Sequence, residues 1–165
     1  MNIIVAAASN WGIGRRNELL FRISPDLKRF KELTMGKTIV MGHNTFKSLP
    51  NQQPLPGRKN IVMSRRYRLE IPDVYVANSK EQVMEMVADE EVFIIGGSEI
   101  YELFLDDCTR IYLTRVWASP VADRFFANLD KKPEWRLEHR SKIHSADGYE
   151  FSYCEFVKKI GEDKS

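Results

Sequence analysis

Five short stretches of the chain are apolar almost throughout instead of alternating with polar residues: 3–8, 38–41, 60–63, 92–95 and 111–114. A strand covered on both faces reads this way, because each direction of the pleat meets a hydrophobic layer. Such strands belong to mainly parallel sheets with helices packed on them. The intervening segments supply the helices: 25–35, a short one near 44–49, 80–88 and 98–105. Ser24 is a good N-cap for the first, Pro25 suits its first helical position, and Leu27, Phe30 and Leu33 then repeat every three on one face until Gly36 closes it. Ser79 with Gln82 three residues on predicts a capping box for the third.

After position 120 the pattern changes to two longer segments, 134–143 and 149–159, joined by the hairpin turn sequence Ser145-Ala146-Asp147-Gly148. The expected fold is therefore α/β: a single domain over 1–160, with a mainly parallel central sheet closed by a C-terminal antiparallel strand pair and helices on both faces. A polar tail, 161–165, follows and is expected to fray.

Composition narrows the function classes. With 165 residues, 43% of them hydrophobic, the chain suffices for one well-packed domain. Charge is nearly balanced, 25 Lys and Arg against 23 Asp and Glu, so the overall field calls for neither nucleic acid nor an anionic membrane. Cys108 and Cys154 lack any C-x-x-C spacing, which fits a reducing compartment. The run 3–8 is too short for a signal h-region, and no long apolar segment follows, so the expectation is a cytoplasmic protein. His43, His139 and His144 show no ligand spacing, and no metal is expected.

In parallel sheets ligands bind beyond the carboxyl ends of the strands. Met41 is followed there by Gly42-His43-Asn44-Thr45, and Ile95 by Gly96-Gly97-Ser98-Glu99-Ile100-Tyr101. A strand entering a helix through glycine offers backbone N–H groups to phosphate, although glycine also serves simply to make a tight turn. Met63 leads to Ser64-Arg65-Arg66, a hydroxyl and two guanidinium groups that suit a phosphate monoester or form a solvated charge run. Gly12-Ile13-Gly14 lacks the third glycine of a Rossmann fingerprint, and Gly57-Arg58-Lys59 is no P-loop. Asp26 lies on or beside the face carrying Leu27 and Phe30. An acid in a first helical turn ordinarily just complements the dipole, so local pattern alone does not make it a site.

Taken together, the segments from about Ile3 to Val157 resemble dihydrofolate reductase. The most specific are Val5-Ala6-Ala7 with Gly12-Ile13-Gly14, the Asp26 helix, Leu55-Pro56-Gly57-Arg58-Lys59-Asn60, and Ile94-Ile95-Gly96-Gly97 leading to Tyr101. The resemblance implies NADPH as cofactor, dihydrofolate as substrate, no nucleic-acid or membrane partner, and a monomer. It makes Asp26 the acid of the pterin pocket, supported by Thr114, with Phe21 beside it. Ile4, Val5, Leu27, Phe30, Leu49, Ile95 and Tyr101 would line the substrate site, and Arg58 would grip the substrate's glutamate carboxylate. Ala6, Ile13 and Gly14 fall to the nicotinamide side. Gly42, His43, Asn44 and Thr45, with Gly96, Gly97, Ser98, Glu99 and Ile100, fall to the phosphates. Met63, Ser64 and Arg65 fall to the adenosine end, and Gly96-Gly97 is expected to be a cis peptide.

Three departures stand out. Leu19-Leu20-Phe21 replaces the family's usual Leu-Pro-Trp, removing an indole N–H that commonly holds a water beside the pterin. His43-Asn44 replaces a pair that is usually basic. Ala122-Asp123-Arg124 loses a threonine but keeps Asp123, which is expected to tie to the loop around Gly12-to-Glu18. Rival readings are the related NADPH-dependent pyrimidine reductase of riboflavin synthesis, a non-catalytic NADPH-binding module, and a nucleic-acid role for Arg65-Arg66-Tyr67-Arg68.

Overall fold

Strand β4 (Thr38–Gly42) shows how the sheet sorts its apolar residues. Val40 packs with one hydrophobic cluster while Ile39 and Met41 pack with another, as strand alternation requires. The same two-sided burial recurs in β1 (Asn2–Ala8), β5 (Lys59–Met63), β7 (Val92–Gly96) and β8 (Arg110–Val116). These are the five continuous apolar runs of the sequence. In the computed structural model, which describes residues 1–66 and 69–159, they form the middle of a nine-stranded sheet.

β1 lies between β7 and β8, parallel to both, and β4 joins β7 to β5, again in parallel. A three-residue strand, β6 (Tyr75–Ala77), extends the β5 edge. On the other side β12 (Tyr149–Lys158) runs antiparallel to β8, followed by β10 (Trp135–Arg140), with β11 (His144–Ala146) also on β12. The expected antiparallel closure is thus present. The expected segment 134–143 holds only β10, ending at Arg140, and the separate β11 takes up part of the expected turn sequence 145–148. Only Asp147 and Gly148 form the turn, both with positive φ (53° and 83°), the geometry that Asp-Gly favours in a two-residue hairpin.

Helices cover both faces. On one side lie α3 (Lys80–Val87), through Val83 and Val87, and α4 (Ser98–Phe104), through Tyr101 and Phe104. On the other lie α1 (Ser24–Thr34), through Leu33, and the short α2 (His43–Lys47), through Phe46. The capping box of α3 forms with a shift. Ser79 accepts from the Gln82 N–H at 3.1 Å, but the Gln82 side chain accepts from Asn78, one residue further out.

For α1 the expectation needs correcting. Ser24 is the first helical residue, Ile23 occupies the cap, and no local side chain caps the end. The carboxylate comes from the distant hairpin instead: the Ser24 N–H donates to Asp147 Oδ2 at 2.7 Å.

Beside the carboxyl end of β1 a second, three-stranded sheet forms from β2 (Gly12–Arg15), β3 (Glu18–Leu19) and β9 (Arg124–Phe125). Gly12 is tightly enclosed, since a Cβ there would lie 2.7 Å from Ala122 Cβ and 2.9 Å from Asn10 Oδ1. Asp123 ties this sheet to the loop as expected: its carboxylate accepts from the Arg16 N–H at 3.0 Å, and its own N–H donates to Gly14 O at 3.0 Å. The expected tail, 161–165, lies outside the described residues, as does part of the Arg65-to-Arg68 cluster.

Candidate active site

Asp26 enters the site from the first turn of α1, which brings its carboxylate to Thr114 on β8. Its Oδ1 accepts from the Thr114 hydroxyl at 2.5 Å, and Thr114 itself is buried. Burial pushes the Asp26 carboxyl above the ordinary aspartate range, and the Thr114 hydrogen bond and the Arg29 charge pull the other way. Thr114 pairs with Ala6 on β1 and with Tyr153 on β12, so three strands fix the hydroxyl that orients the acid.

Around this pair the apolar surface is left open. Ile4, Phe30, Leu49 and Ile95 are only partly covered and Leu27 is 48% exposed, whereas Ile3, Ile39 and Ile94 beside them in the sheet are fully buried. Hydrophobic residues gathered and left uncovered beside one buried acid have the character of a ligand cleft. Val5 differs from its expected role. Its side chain belongs to the core under α3 and α4, on the opposite face of β1, because neighbouring strand positions point opposite ways. Tyr101 is buried in that same core. Its hydroxyl donates to the Ile4 carbonyl at 2.7 Å and its ring meets Phe126 edge-on at 5.3 Å. Burial holds the Tyr101 phenol protonated, with the nearby Asp26 charge acting in the same direction.

Phe21 is 6% exposed and sits in a small cluster with Ala8, Ile23, Val116 and Phe151, its ring edge-on to Tyr149 at 5.0 Å. At the far end of α1, Arg58 donates from Nε to Pro56 O at 3.0 Å and from Nη1 to Thr34 Oγ1 at 3.1 Å. Both bonds fix the plane of its guanidinium, which suits a carboxylate fork. Gly57 makes the turn before it with φ 75°, and a Cβ there would collide with Met35 Sδ.

The phosphate candidates gather at the ends of adjacent strands, since Met41 pairs with Gly96. Gly96-Gly97 is a cis peptide, and a Cβ on Gly96 would press within 3.4 Å of the Tyr101 ring. A Cβ on Gly42 would lie 3.1 Å from Ile100 and one on Gly97 3.6 Å from Thr45 Oγ1. Gly97 is the cap of α4 and no side chain caps that end, so the N–H groups of Ser98 and Glu99 take no side-chain cap. This junction fits an elongated dinucleotide carrying phosphates. His43 is held towards its neutral form by partial burial and by the charges of Lys47 and Arg66. Ser64 accepts from the Arg66 N–H at 3.1 Å, and Arg65 stands almost wholly in solvent, 4.0 Å from Glu99. Met63 is buried, while Ile13 and Gly14 lie in β2 beside Leu20 and Asp123.

Three residues near the site carry no local sequence signal. Asp147 caps α1, Trp11 lies under the Arg115 guanidinium at 3.9 Å, and Arg29 stands over Tyr153 at 4.3 Å. Among the described residues no group of three His, Cys, Asp or Glu is placed to hold a metal ion. None of the described helices is long and apolar enough to cross a membrane.

The family model for dihydrofolate reductase matches residues 1–158. The chain belongs to the dihydrofolate reductase family. It is 37% identical over 158 residues to dihydrofolate reductase type 3 of Salmonella typhimurium, covering 95% of each chain. It is 34% identical over 157 residues to the dihydrofolate reductase of Haemophilus influenzae, covering 94% of this chain and 95% of that one. Among solved structures, the dihydrofolate reductase of Enterococcus faecalis complexed with NADP(H) and RAB-propyl superposes with a TM-score of 0.85 at 26% identity, covering 96% of both chains. Nothing in these matches supports the pyrimidine reductase of riboflavin synthesis.

Proposed function

We propose that this chain reduces 7,8-dihydrofolate to 5,6,7,8-tetrahydrofolate with Asp26 as the one acid of the pterin site. The observation that carries the assignment is the Thr114-to-Asp26 hydrogen bond at the edge of the uncovered apolar cleft. Ionised, the carboxylate has two acceptor oxygens, matching the paired N–H donors along one edge of a 2-amino-4-oxopteridine. Thr114 donates to one oxygen and so fixes the plane of the carboxyl before the ring arrives. Ile4, Leu27, Phe30, Leu49 and Ile95 enclose the ring and exclude water, and Arg58 takes the glutamate carboxylate.

The α4 N-terminus, which no side chain caps, and the Gly42 and Gly97 approaches support NADPH beside this cleft, with Asn44, Thr45, Ser98, Glu99 and Ile100 along its phosphates and Ser64 and Arg65 at the 2'-phosphate. When bound, the cofactor supplies the hydride received at C6 of the pterin. The chain's own share is to hold the ring, keep the site dry and favour a proton at the neighbouring N5 through Asp26. The free, buried Cys108 and Cys154 support a reducing compartment such as the cytoplasm.

A structure with folate and NADP+ tests the assignment. The account expects both Asp26 oxygens within hydrogen-bond distance of the pterin edge. A pterin held by another group overturns it.

A further inference from the structure

Arg29 follows Asp26 by three residues on α1, so the two side chains share a helix face. Its guanidinium is not loose in solvent: the side chain is 21% exposed and Nη2 lies 3.8 Å from Glu155 Oε1. Its carbon stands 4.3 Å from the ring centre of Tyr153 and 5.8 Å from that of Tyr112, a placement favoured by the negative ring faces. Tyr153 is the cross-strand neighbour of Thr114, the residue that holds the Asp26 carboxyl. A permanent cation is thus fixed beside the acid by side chains of two strands.

The charged and titratable groups around the pair are few. α1 contributes Lys28 and Glu32, β8 contributes Tyr112 and Arg110, β12 contributes Tyr153 and Glu155, α4 contributes Tyr101, and β11 contributes His144, whose ring lies 5.3 Å from that of Tyr153. Glu138 on β10 is tied in through Arg110, which reaches it at 2.8 Å and Glu155 at 3.3 Å. Among the described groups, only Arg29 acts on Asp26 as a resolved positive charge.

We propose that Arg29 is a positioning residue that, together with Thr114, lets the Asp26 carboxyl give up its proton at lower pH than it otherwise would, with Tyr153 and Glu155 holding the guanidinium in place. Its effect on turnover rests on the assignment of Asp26 as the pterin acid. The site asks two things of one carboxyl: ionisation to accept the pterin N–H donors, and support for a proton at N5. Burial drives Asp26 towards the neutral acid; the Thr114 hydrogen bond opposes that first, and Arg29 adds to the opposition without ever losing its own charge.

Titration of the ligand-free protein, labelled with 13C at its aspartate carboxyls, reads the Asp26 midpoint directly. Arg29→Gln is expected to move it to higher pH. Arg29→Lys, which keeps the charge, should restore most of the difference. Arg29→Met, whose unbranched stem still packs on Tyr153, is a second neutral variant and should move the midpoint like Gln. If neither neutral variant moves it, the proposal is overturned. Single-turnover reduction of dihydrofolate in the same variants should shift its high-pH limb in step. A limb that stays while the titration moves overturns the Asp26 assignment, and with it the effect on turnover, without touching the contact itself.

Discussion

Asp147, at the tip of the C-terminal hairpin, caps the helix that carries Asp26 by accepting from the Ser24 N–H across 123 positions of sequence. Its negative charge also meets the positive end of that helix. Because the turn needs positive φ at Asp147, replacement by glycine keeps the hairpin and removes only the carboxylate. Asp147→Gly is expected to lose about 1 kcal/mol in urea unfolding and to raise KM for dihydrofolate as the Asp26 turn loosens. Asp147→Asn, which keeps an acceptor oxygen, should recover most of both.

Phe21 presents a different question. Phe21→Trp supplies an indole N–H able to hold a water beside the pterin, and the account expects it to shift the pH dependence of single-turnover hydride transfer. An unchanged profile would refute the idea. Since Phe21 is buried edge-on to Tyr149, the larger ring should also cost about 1–3 kcal/mol of stability through overpacking.

Arg65 is solvent-exposed and weakly paired with Glu99, which leaves its guanidinium free to meet a 2'-phosphate. Arg65→Ala should raise KM for NADPH about 10- to 100-fold, the worth of a lost charge-assisted contact, and leave KM for NADH unchanged. Equal losses with both cofactors would place the 2'-phosphate elsewhere.

Asp26 also links function to stability. Burial raises its folded value above the ordinary 3.8, so the folded chain binds this proton more tightly than the unfolded chain. Stability from this group therefore falls as pH rises from the ordinary value through the raised one, and above that interval the ionised form holds the fold down. Asp26→Asn should raise Tm at neutral pH, each kcal/mol being worth about 2–4 °C in a chain of this size, and the gain should vanish in acid. A variant less stable than wild type at every pH would contradict this sign.

The sequence made the centre of this molecule readable because β1, β4, β5, β7 and β8 are covered on both faces and announce themselves as apolar runs. The two glycine junctions could be placed because they directly follow those runs, whereas Asp26 as the acid of the site and Thr114 as its partner came from the resemblance to dihydrofolate reductase. β2, β3, β6 and β9 escaped detection: each spans two to four residues, too short for a period, and β2 is half glycine. The inward turn of Val5 was missed because a run that is apolar throughout does not say which of its residues face which layer. Asp147 was legible as a turn residue and not as a cap, since its partner is brought to it only by the folded sheet. Arg29 carries no sign of its own in the sequence, because only the folded sheet brings Tyr153 and Glu155 beside it.

The most direct test of the central claim is single-turnover hydride transfer in Asp26→Asn, followed from acid to alkaline pH. Asparagine keeps an acceptor for Thr114 but has no carboxyl proton to gain or lose. The account predicts a rate at neutral pH lower by about 100-fold or more, with the wild-type titration limb gone. A rate close to wild type with the limb intact would show that the proton is managed without Asp26.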